Sequence, residues 1–457
     1  MRLFIDTSKT FQTMSGFGIS GAWWAQSVGG WSSVCPNNTP VRDKIAGLLF
    51  NKTSGIGIDT FRYNLGSGSA ESGRGTFSDP LRRAQSFYTP NGLDFSKDEE
   101  SVYMMKAAVR EGAQELVFFV NSPLEEFTIN GLGHTDKSRT GKTNIKKSNI
   151  PAFAKYCADV AEHFIKEGLP VKYISPVNEP LWVWNGGQEG CHYSPIRCRY
   201  VMKEFAREIK KRPALKNVKL SGLENGDIRW FNKSYTRALL GNSEIRGMVD
   251  SVDVHSYFLN DSLPFFGNRP AYLRRFRKWM DKNYPGVPIK VSEWCHMQGG
   301  KNAYMDSALV QARVMLEDLT ILCASSFQGW IACSPYDYCD GLLYIDPKTQ
   351  SFEMTKRYYA FGNFSKFIPR GAVRIAAKTD DGDIMTAAFK TEDKLIFIIL
   401  NPSDKEKELR LRFGGEIYVT DAENDLTRYG FNIGETVKIN SFSVNTVLIN
   451  LENAKAL

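Results

Sequence analysis

Two stretches of the 457-residue chain, VKYISPVNEP at residues 171–180 and VPIKVSEW at residues 287–294, each lead an apolar run into a glutamate. Short apolar runs bounded by proline and polar residues predict buried strands. Each strand would then carry its carboxylate, Glu179 or Glu293, at its carboxyl-terminal end. Catalytic residues of parallel α/β barrels lie at that edge. The two stretches therefore predict a parallel sheet with two acids at one rim.

Six more strand-like runs accompany these two, and amphipathic helical patterns alternate with them. One such pattern covers residues 152–166, where apolar side chains recur at a spacing of about 3.6 residues. This alternation is typical of a parallel sheet with crossover helices, and eight such units predict an α/β fold, a (β/α)8 TIM barrel, over residues 13–365. The six runs are residues 16–18, 60–64, 116–121, 218–224, 252–255 and 329–332.

The last part of the chain has a different pattern. After Pro369, short strand-like runs alternate with turns such as DGD at residues 381–383, which predicts an all-β unit. The opening run, residues 2–5, has no helix after it, so we expect it to pair with that unit rather than with the barrel. The second predicted domain is a β-sandwich side domain of residues 366–457, together with an N-terminal strand within residues 1–12.

Charge and hydropathy narrow the possible partners. The chain carries 58 Lys and Arg against 50 Asp and Glu, a net charge of +8, which is mild for its length. No zinc-finger or RNA-binding signature accompanies this charge, so no nucleic-acid partner is predicted. No apolar run reaches the roughly 18 residues that a membrane span needs, so no membrane partner is predicted either.

The eight cysteines form no dense framework and match reduced thiols best, with a few disulfides as the alternative. The spacings of Cys191 with Cys198 and of Cys333 with Cys339 differ from C-x-x-C, so no metal site is predicted. The start of the chain lacks a charged segment followed by an apolar one. We therefore expect a cytoplasmic protein, or a secreted one if a leader was trimmed.

The paired glutamates suit one class of reaction. Pro180 has no N–H for a strand ladder, so pairing should end there and leave Asn178 and Glu179 at the mouth of the barrel. A retaining glycosidase needs two carboxyl groups about 5–5.5 Å apart, one as acid/base and one as nucleophile. We assign Glu179 as acid/base and Glu293 as nucleophile. The alternatives are a carboxylate at a helix N-terminus for Glu179 and a strand-end ion pair for Glu293.

Four polar residues near strand ends are candidates for supporting roles. Arg62 would hold the nucleophile ionised through its guanidinium fork, and Asn178 would bind the sugar 2-hydroxyl. Tyr257 would donate its hydroxyl to Glu293, and His255 would orient its neighbours. A surface ion pair remains the alternative for Arg62, and a satisfied core histidine remains the alternative for His255.

Tryptophan and tyrosine side chains flank several predicted strand ends, where flat rings can stack on sugars. Among them, Trp184 and Trp330 are the preferred platforms, and Trp294 would form a wall beside Glu293. Filling of the core is the alternative for each single ring. The other flanking aromatic residues are Trp23, Trp24, Trp182, Trp230, Tyr336 and Tyr338.

At these positions the chain resembles glycoside hydrolase family 30, a retaining family of (β/α)8 enzymes. The resemblance runs almost end to end, and the order and spacing of its short motifs are specific. It implies a barrel with a side β-sandwich, Glu179 as acid/base, Glu293 as nucleophile, and no metal or organic cofactor. The matching motifs are GFGIS at 16–20, AWW at 22–24, RYN at 62–64, NSP at 121–123, VNEP at 177–180, QEGC at 188–191, HSY at 255–257, SEW at 292–294, YYAFG at 358–362 and FSKFI at 364–368.

Three segments bear on the substrate. LEEF at residues 124–127 stands where the family often places aromatic residues and a methionine, which changes one wall of the cleft. The loop after the eighth strand, residues 334–346, lacks an arginine, so recognition of a glucuronic acid branch is not expected there. The QEGC motif is similar to that of family members that cleave β-1,6-galactan.

The sequence thus predicts a retaining β-glycoside hydrolase that cleaves a β-linked oligo- or polysaccharide of the β-1,6-galactan or xylan type by double displacement. Its expected partner is a carbohydrate substrate. Two alternatives use the same scaffold. A carbohydrate-binding protein would lose one glutamate, and a transglycosylating enzyme would exclude water from its acceptor site.

Overall fold

The computed structural model describes residues 1–229, 232–257 and 268–451 of the chain. Within them, a largely parallel sheet of ten strands and an antiparallel sheet of seven strands hold most of the strand structure, and two separate strand pairs complete it. The chain is therefore a mixed α/β protein with an additional antiparallel sheet.

The strands in chain order are β1 (Leu3–Thr13), β2 (Phe17–Ser20), β3 (Thr60–Asn64), β4 (Tyr88–Thr89), β5 (Gly92–Leu93), β6 (Glu115–Phe119), β7 (Val171–Ser175), β8 (Lys219–Leu220), β9 (Val252–His255), β10 (Ile289–Trp294), β11 (Ala324–Ser334), β12 (Gly341–Asp346), β13 (Ser351–Met354), β14 (Val373–Thr379), β15 (Met385–Lys390), β16 (Lys394–Asn401), β17 (Lys407–Arg410), β18 (Gly415–Thr420), β19 (Asp425–Phe431), β20 (Thr436–Ile439) and β21 (Ser443–Asn450). The α-helices are α1 (Ala25–Val28), α2 (Val41–Phe50), α3 (Ser69–Ser72), α4 (Glu99–Glu111), α5 (Ile150–Lys166), α6 (Pro195–Lys210), α7 (Asn232–Leu240), α8 (Ser243–Arg246), α9 (Arg269–Asn283), α10 (Met305–Thr320) and α11 (Lys356–Ser365).

The ten-stranded sheet is built mainly from parallel neighbours. Strands β2, β3, β6, β7 and β8 pair in that order, and β11, β10 and β9 continue the sheet on the other side of β2. β12 pairs in parallel with β11, and β13 lies antiparallel on its outer edge. Two isolated parallel bridges, Leu220 with Val249 and Asn225 with Val254, lie between the chain segments of β8 and β9.

Helices follow most of these strands because the intervening sequences are amphipathic. In α5, the apolar side chains from Phe153 to Phe164 recur three or four residues apart, and they are buried. α6 begins after Ser194, whose side chain accepts a hydrogen bond from the Arg197 N–H. None of the described helices combines the length and the apolar character that crossing a bilayer requires.

The antiparallel sheet joins the two ends of the chain. Its order is β1-β14-β15-β16-β21-β18-β19, and β1 pairs with β14 from Leu3 opposite Thr379 to Thr13 opposite Val373. One face of this sheet packs against α10 and α11, so its side chains belong to the main core. Side chains on its other face, such as Phe397 and Val447, form a second core with the strand pair β17 and β20.

Several strands differ from the sequence expectation. β8 covers only Lys219–Leu220 of the predicted run 218–224, and β12, Gly341–Asp346, forms within the predicted loop 334–346. The run that leads to Glu179 was expected to remain a strand up to Asn178, but β7 ends at Ser175. β19 was not expected, because Asp425–Phe431 is mostly exposed and shows no apolar alternation. Its pairing with β18 along one edge of the sheet supplies the structure that its own pattern does not predict.

Candidate active site

A cleft of about 350 Å³ opens where the parallel strands end, within the usual size range of small-ligand sites. Both predicted catalytic glutamates line it. Because parallel strands end at the same edge of a sheet, loops that are distant in the chain meet there. The lining includes Trp23, Arg82, Asn178, Glu179, Trp184, Tyr257, Glu293, Cys295, Trp330, Tyr336 and Asp340.

Glu179 lies in the loop between β7 and α6. Its backbone is left-handed, with φ at +43°, and its N–H donates to the Glu224 carbonyl at 3.0 Å. The Trp184 indole N–H donates to the Glu179 carbonyl at 3.1 Å. Left-handed backbone is unfavourable for a glutamate and persists only where its surroundings hold it, most often at functional sites. The two hydrogen bonds keep Glu179 in this backbone conformation.

Gly226 allows the Glu179 side chain to lie against the loop that follows β8. A Cβ atom at position 226 would stand 2.6 Å from Glu179 Oε1 and 2.3 Å from Trp182 Nε1. Such distances are too short for any side chain, so only glycine permits this approach. The position of the Glu179 carboxyl therefore depends on the absence of a side chain at residue 226.

Glu293 lies within β10, and each of its carboxylate oxygens accepts a hydrogen bond. Arg62 Nη1 donates to Oε2 at 3.0 Å, and the Tyr257 hydroxyl donates to Oε1 at 3.0 Å. Glu293 pairs with His255 of β9 in the strand register. Strands β3, β9 and β10 together fix the orientation of this carboxylate, as predicted for the contacts of Arg62 and Tyr257.

The two catalytic candidates face each other across a short gap. One carboxylate oxygen of Glu179, one of Glu293 and one ring nitrogen of His255 all lie within 4.8 Å of one another. Inverting glycosidases hold their two carboxyl groups about 6.5–9.5 Å apart to admit a water, whereas retaining enzymes hold them about 5–5.5 Å apart. The observed spacing matches the retaining arrangement.

His255 and Glu224 complete a buried network of charges. His255 Nδ1 lies 2.9 Å from Glu179 Oε1, and its Nε2 lies 3.2 Å from Glu224 Oε2. Arg62 Nη2 also donates to Glu224, so this carboxylate is held by two cations. Burial alone would raise the pKa of Glu224, but Arg62 and His255 hold it at about 2. Glu224 therefore carries a negative charge at the base of the site.

Burial and neighbouring charges also set the pKa values of His255, Glu293 and Tyr257. Burial opposes the charged form of His255, but Glu293, Glu179 and Glu224 raise its pKa to about 10. Burial raises the pKa of Glu293, while His255 and Arg62 counteract that rise. Burial also raises the pKa of Tyr257 well above its usual value, so its hydroxyl stays protonated and remains a donor.

Asn178 belongs to a row of amides across three neighbouring loops. Its Nδ2 donates to Asn121 Oδ1 at 3.1 Å, and Asn121 Nδ2 donates to Asn64 Oδ1 at 3.2 Å. The row fixes the orientation of the Asn178 amide. Among the described residues, none donates a hydrogen bond to Asn178 Oδ1. This buried oxygen therefore keeps an unused capacity to accept a hydrogen bond.

Of the three preferred aromatic residues, the structure places two in the cleft and one in the core. Trp184 and Trp330 line the cleft, and Trp330 packs edge-on against Trp23 with ring centroids 5.0 Å apart. Trp294 does not line it. Successive side chains of a strand point to opposite faces, so Glu293 faces the cleft and Trp294 lies in the core against Phe327. The expected wall at Trp294 is corrected accordingly, and Trp230 lies outside the described residues.

Sequence reasoning missed three contributors to the site. Glu224 was predicted only to end the run at residues 218–224 and to add a polar group near the cleft, although it contacts both buried cations. Gly226, two residues later, gave no signal that a backbone approach was needed. Arg82 ends a short 3₁₀ helix, Pro80–Arg82, and its guanidinium lies over Trp23, 4.5 Å from the ring centroid. Its neighbourhood in sequence does not predict a place in the cleft.

The spacing of Glu179, His255 and Glu293 would also suit a metal ion, but a metal needs ligand atoms that carry no proton. An imidazole binds a metal through a nitrogen that carries no proton. Both ring nitrogens of His255 face carboxylates, and its pKa of about 10 keeps the ring protonated near neutrality. The three residues therefore fit a proton-holding cluster better than a metal site.

Comparisons with known proteins agree with this geometry. A family model described as O-glycosyl hydrolase family 30 matches residues 1–274 and 289–344, more than half of the chain. The chain is 26% identical over 282 residues to an endo-beta-1,6-galactanase from Hypocrea rufa, an alignment that covers 56% of this chain and 55% of that relative. It thus spans about half the length of this curated relative.

Two solved structures resemble the whole chain. A conserved exported protein from Bacteroides fragilis superposes with a TM-score of 0.86 at 22% identity, over 98% of this chain and 100% of that one. The catalytic domain of GH30 xylanase C from Talaromyces cellulolyticus gives a TM-score of 0.76 at 17% identity, over 98% and 100% respectively. At these identities the likeness concerns the fold alone.

Proposed function

We propose a function for this chain from one premise, which is that it belongs to O-glycosyl hydrolase family 30. The proposed activity is hydrolysis of a β-glycoside with retention of configuration. One observation carries it: carboxylate oxygens of Glu179 and Glu293 lie within 4.8 Å of each other across an open cleft. That gap is shorter than the roughly 6.5–9.5 Å between the carboxyl groups of inverting enzymes, and it suits a direct attack by one carboxylate.

We further propose that the parallel strands close into a (β/α)8 barrel. Eight parallel strands form one row in the order β8-β7-β6-β3-β2-β11-β10-β9. The two bridges between the segments of β8 and β9 connect the ends of this row, which supports closure. In this interpretation the barrel occupies residues 13–365, and residues 366–457 with residues 1–12 form a side β-sandwich. The family relationship supports the same division.

Glu293 is the proposed nucleophile. In the first step it attacks the anomeric carbon and forms a glycosyl ester. Arg62 and Tyr257 donate to its two oxygens, which orients the carboxylate and favours its ionised form before attack. Arg62 cannot accept a hydrogen bond, so its contact with Glu293 is always that of a donor.

Glu179 is the proposed acid/base. It protonates the leaving oxygen in the first step and activates a water in the second. Asn178, the preceding residue, presents the free Oδ1 that would accept from the sugar 2-hydroxyl. Trp184 and Trp330 are the proposed stacking surfaces for sugar rings, since both line the cleft with Glu179.

The proposed substrate is a β-linked chain of the β-1,6-galactan or xylan type. The similarity to an endo-beta-1,6-galactanase and to a xylanase supports these two candidates. Among the described residues, the cleft lining carries Glu179, Glu293, Asp337 and Asp340 against a single guanidinium, Arg82. This excess of carboxylates favours a neutral sugar over a uronic acid.

The decisive experiment follows the configuration of the first product. Purified protein is incubated with galacto-, xylo- and gluco-oligosaccharides, products are sized, and the anomeric signal of fresh product is recorded by NMR. We expect cleavage of a β-linked series and release of β-configured sugar before mutarotation. Initial release of the α-anomer would rule out the double displacement.

Glu179→Gln tests the acid role separately. We expect a fall in kcat/KM of about 10²–10⁴-fold on oligosaccharides. Aryl glycosides whose leaving groups need no proton should lose far less in the glycosylation step. Equal losses on both substrate classes would contradict the assignment of Glu179.

A further inference from the structure

The imidazole of His255 lies between the two proposed catalytic glutamates. Its Nδ1 is 2.9 Å from Glu179 Oε1 and 3.4 Å from Glu293 Oε1, and its Nε2 is 3.2 Å from Glu224 Oε2. The ring is fully buried. One nitrogen of one histidine is thus within reach of both groups that the reaction uses.

The surroundings of this ring decide its charge. Glu179 faces it from the loop after β7, Glu224 from the loop after β8, and Glu293 from β10, while the Tyr257 ring packs edge-on with centroids 5.9 Å apart. Arg62 stands behind Glu224 and Glu293 and partly neutralises them. Three carboxylates against one other cation favour an imidazolium that donates from both nitrogens.

This arrangement raises a question about the first step. Glu179 must give a proton to the leaving oxygen, yet it accepts a hydrogen bond from a ring that favours the protonated form. A proton that lies on Nδ1 is one hydrogen bond away from Glu179. It can therefore reach the leaving group through Glu179 without a donor from solvent.

We propose that His255 stores the proton that Glu179 delivers to the leaving group and later recovers from water. This role deepens the proposed hydrolase function and depends on it. His255 acts through Glu179 and does not touch the sugar, so it is a positioning and proton-storing residue.

The proton and electron balance closes over the two steps. In glycosylation, the Nδ1 proton moves to the Glu179 carboxylate and a carboxyl proton moves to the leaving oxygen. The bond from the anomeric carbon to that oxygen breaks, its electron pair stays with oxygen, and Glu293 forms the ester bond. In deglycosylation, water attacks the anomeric carbon, its proton passes through Glu179 to Nδ1, and the ester electron pair returns to Glu293.

The charge of Glu293 couples the two events. The charge of Glu293 raises the pKa of His255, as do the hydrogen bonds with Glu179 and Glu224. Ester formation removes that charge, so His255 gives up its proton most readily in glycosylation, when Glu179 must act as an acid. Hydrolysis of the ester restores the charge and with it the stored proton.

The experiment compares His255→Gln with His296→Gln. His296 is also buried and hydrogen-bonded, to the Ser307 hydroxyl at 2.8 Å, but it does not line the cleft. For His255→Gln we expect a loss in kcat/KM of about 10²-fold or more on an oligosaccharide. On the 2,4-dinitrophenyl glycoside of the same sugar, the loss should stay within about tenfold, since that leaving group needs no acid. His296→Gln should match the wild type on both.

A pH profile and NMR measurements distinguish proton storage by His255 from a merely structural role. The basic limb of the kcat/KM profile should move to lower pH in His255→Gln, because the variant lacks the group that retains the proton. In wild-type protein labelled with ¹⁵N-histidine, both ring nitrogens of His255 should be protonated at pH 7. Trapping with a 2-deoxy-2-fluoroglycosyl fluoride should lower the pH at which the ring loses a proton.

Equal losses on both substrates, or a neutral His255 ring at pH 7, would overturn the proposal. The NMR measurement of the His255 ring needs no variant, so it tests the proposal even if His255→Gln fails to fold. Wild-type protein that cleaves no β-glycoside would instead refute the hydrolase function itself. The two failures are therefore distinguishable.

Discussion

Ion pairs occur in two contrasting regions of this protein, at the floor of the cleft and on the surface of the strand pair β17 and β20. Arg62 and Glu293 are 0% and 6% exposed, whereas Lys438 and Glu406 are 61% and 58% exposed, at similar separations of 3.0 and 2.6 Å. Geometry alone does not distinguish them. Their surroundings do, because buried charges interact strongly and are expensive to leave unpaired, while exposed pairs are screened by water and salt.

This contrast separates two uses of the same interaction. The cleft floor holds Arg62, His255, Glu179, Glu224 and Glu293 in one network, where each group changes the charge state of the next. On the strand pair β17 and β20, the pair of Lys438 with Glu406 is exposed to water, so it adds little. We therefore expect substitutions in the network to alter activity and pH dependence, and substitutions in this exposed pair to alter neither.

The largest expected effect comes from Glu293→Ala. Loss of a covalent nucleophile should reduce turnover about 10⁵-fold or more, because the double displacement cannot start. Added azide should partly restore the reaction with an activated substrate and give the α-glycosyl azide, since it attacks from the side that the carboxylate vacates. Undiminished hydrolysis, or a β-azide product, would refute the nucleophile assignment.

Arg62→Met breaks the network from the cationic side. Removing one partner of a buried pair costs about 3–5 kcal/mol, so urea unfolding should shift by that amount. The pKa of Glu224 lies at about 2, below its ordinary value, so its contribution is present above pH 4.5 and is lost as the pH falls to about 2. As the pH falls from 4.5 to about 2, the free energy of unfolding should decrease less in Arg62→Met than in the wild type. Arg62→Lys should show an intermediate decrease. An unchanged stability profile would contradict the network.

Gly226→Ala tests the position of Glu179 without changing any charge. The new Cβ would lie 2.6 Å from Glu179 Oε1, so the carboxyl must move. A displacement of about 1 Å can reduce kcat/KM about 10²-fold. Gly430→Ala is the matched control, because nothing lies within 4 Å of its added Cβ. Equal activity of the two variants would show that Glu179 tolerates the shift.

Lys438→Ala should have the smallest effect. The pair with Glu406 is exposed, so its loss should cost under about 1 kcal/mol and leave kcat/KM unchanged. Thermal unfolding and the standard activity assay measure both quantities. A change comparable to that of Arg62→Met would remove the distinction between the two regions.

The position of Glu179 and Glu293 in one cleft was predictable because each glutamate follows a recognisable apolar run. The same pattern also indicated the neighbouring candidates Arg62, His255 and Tyr257, and the structure brings these three side chains to the glutamates. Trp294 was misplaced because adjacency in sequence was taken for adjacency in space, although neighbouring strand residues face opposite sides. Glu224 ends a predicted run, but nothing in that run indicates its contacts with Arg62 and His255 on other strands. Gly226 gave no signal, since its importance lies in the close approach of Glu179 and Trp182.

The sequence by itself determined the alternation of strands and helices, the two glutamates that follow apolar runs and the family to which the chain belongs. Only the tertiary structure decided which charges meet, because Arg62 contacts groups 162 and 231 residues away in the chain. Such contacts depend on how the strands pair and where each loop turns. Local periodicity reports which face of an element is buried, but the charge state of a buried group is set by the partners that folding brings to it.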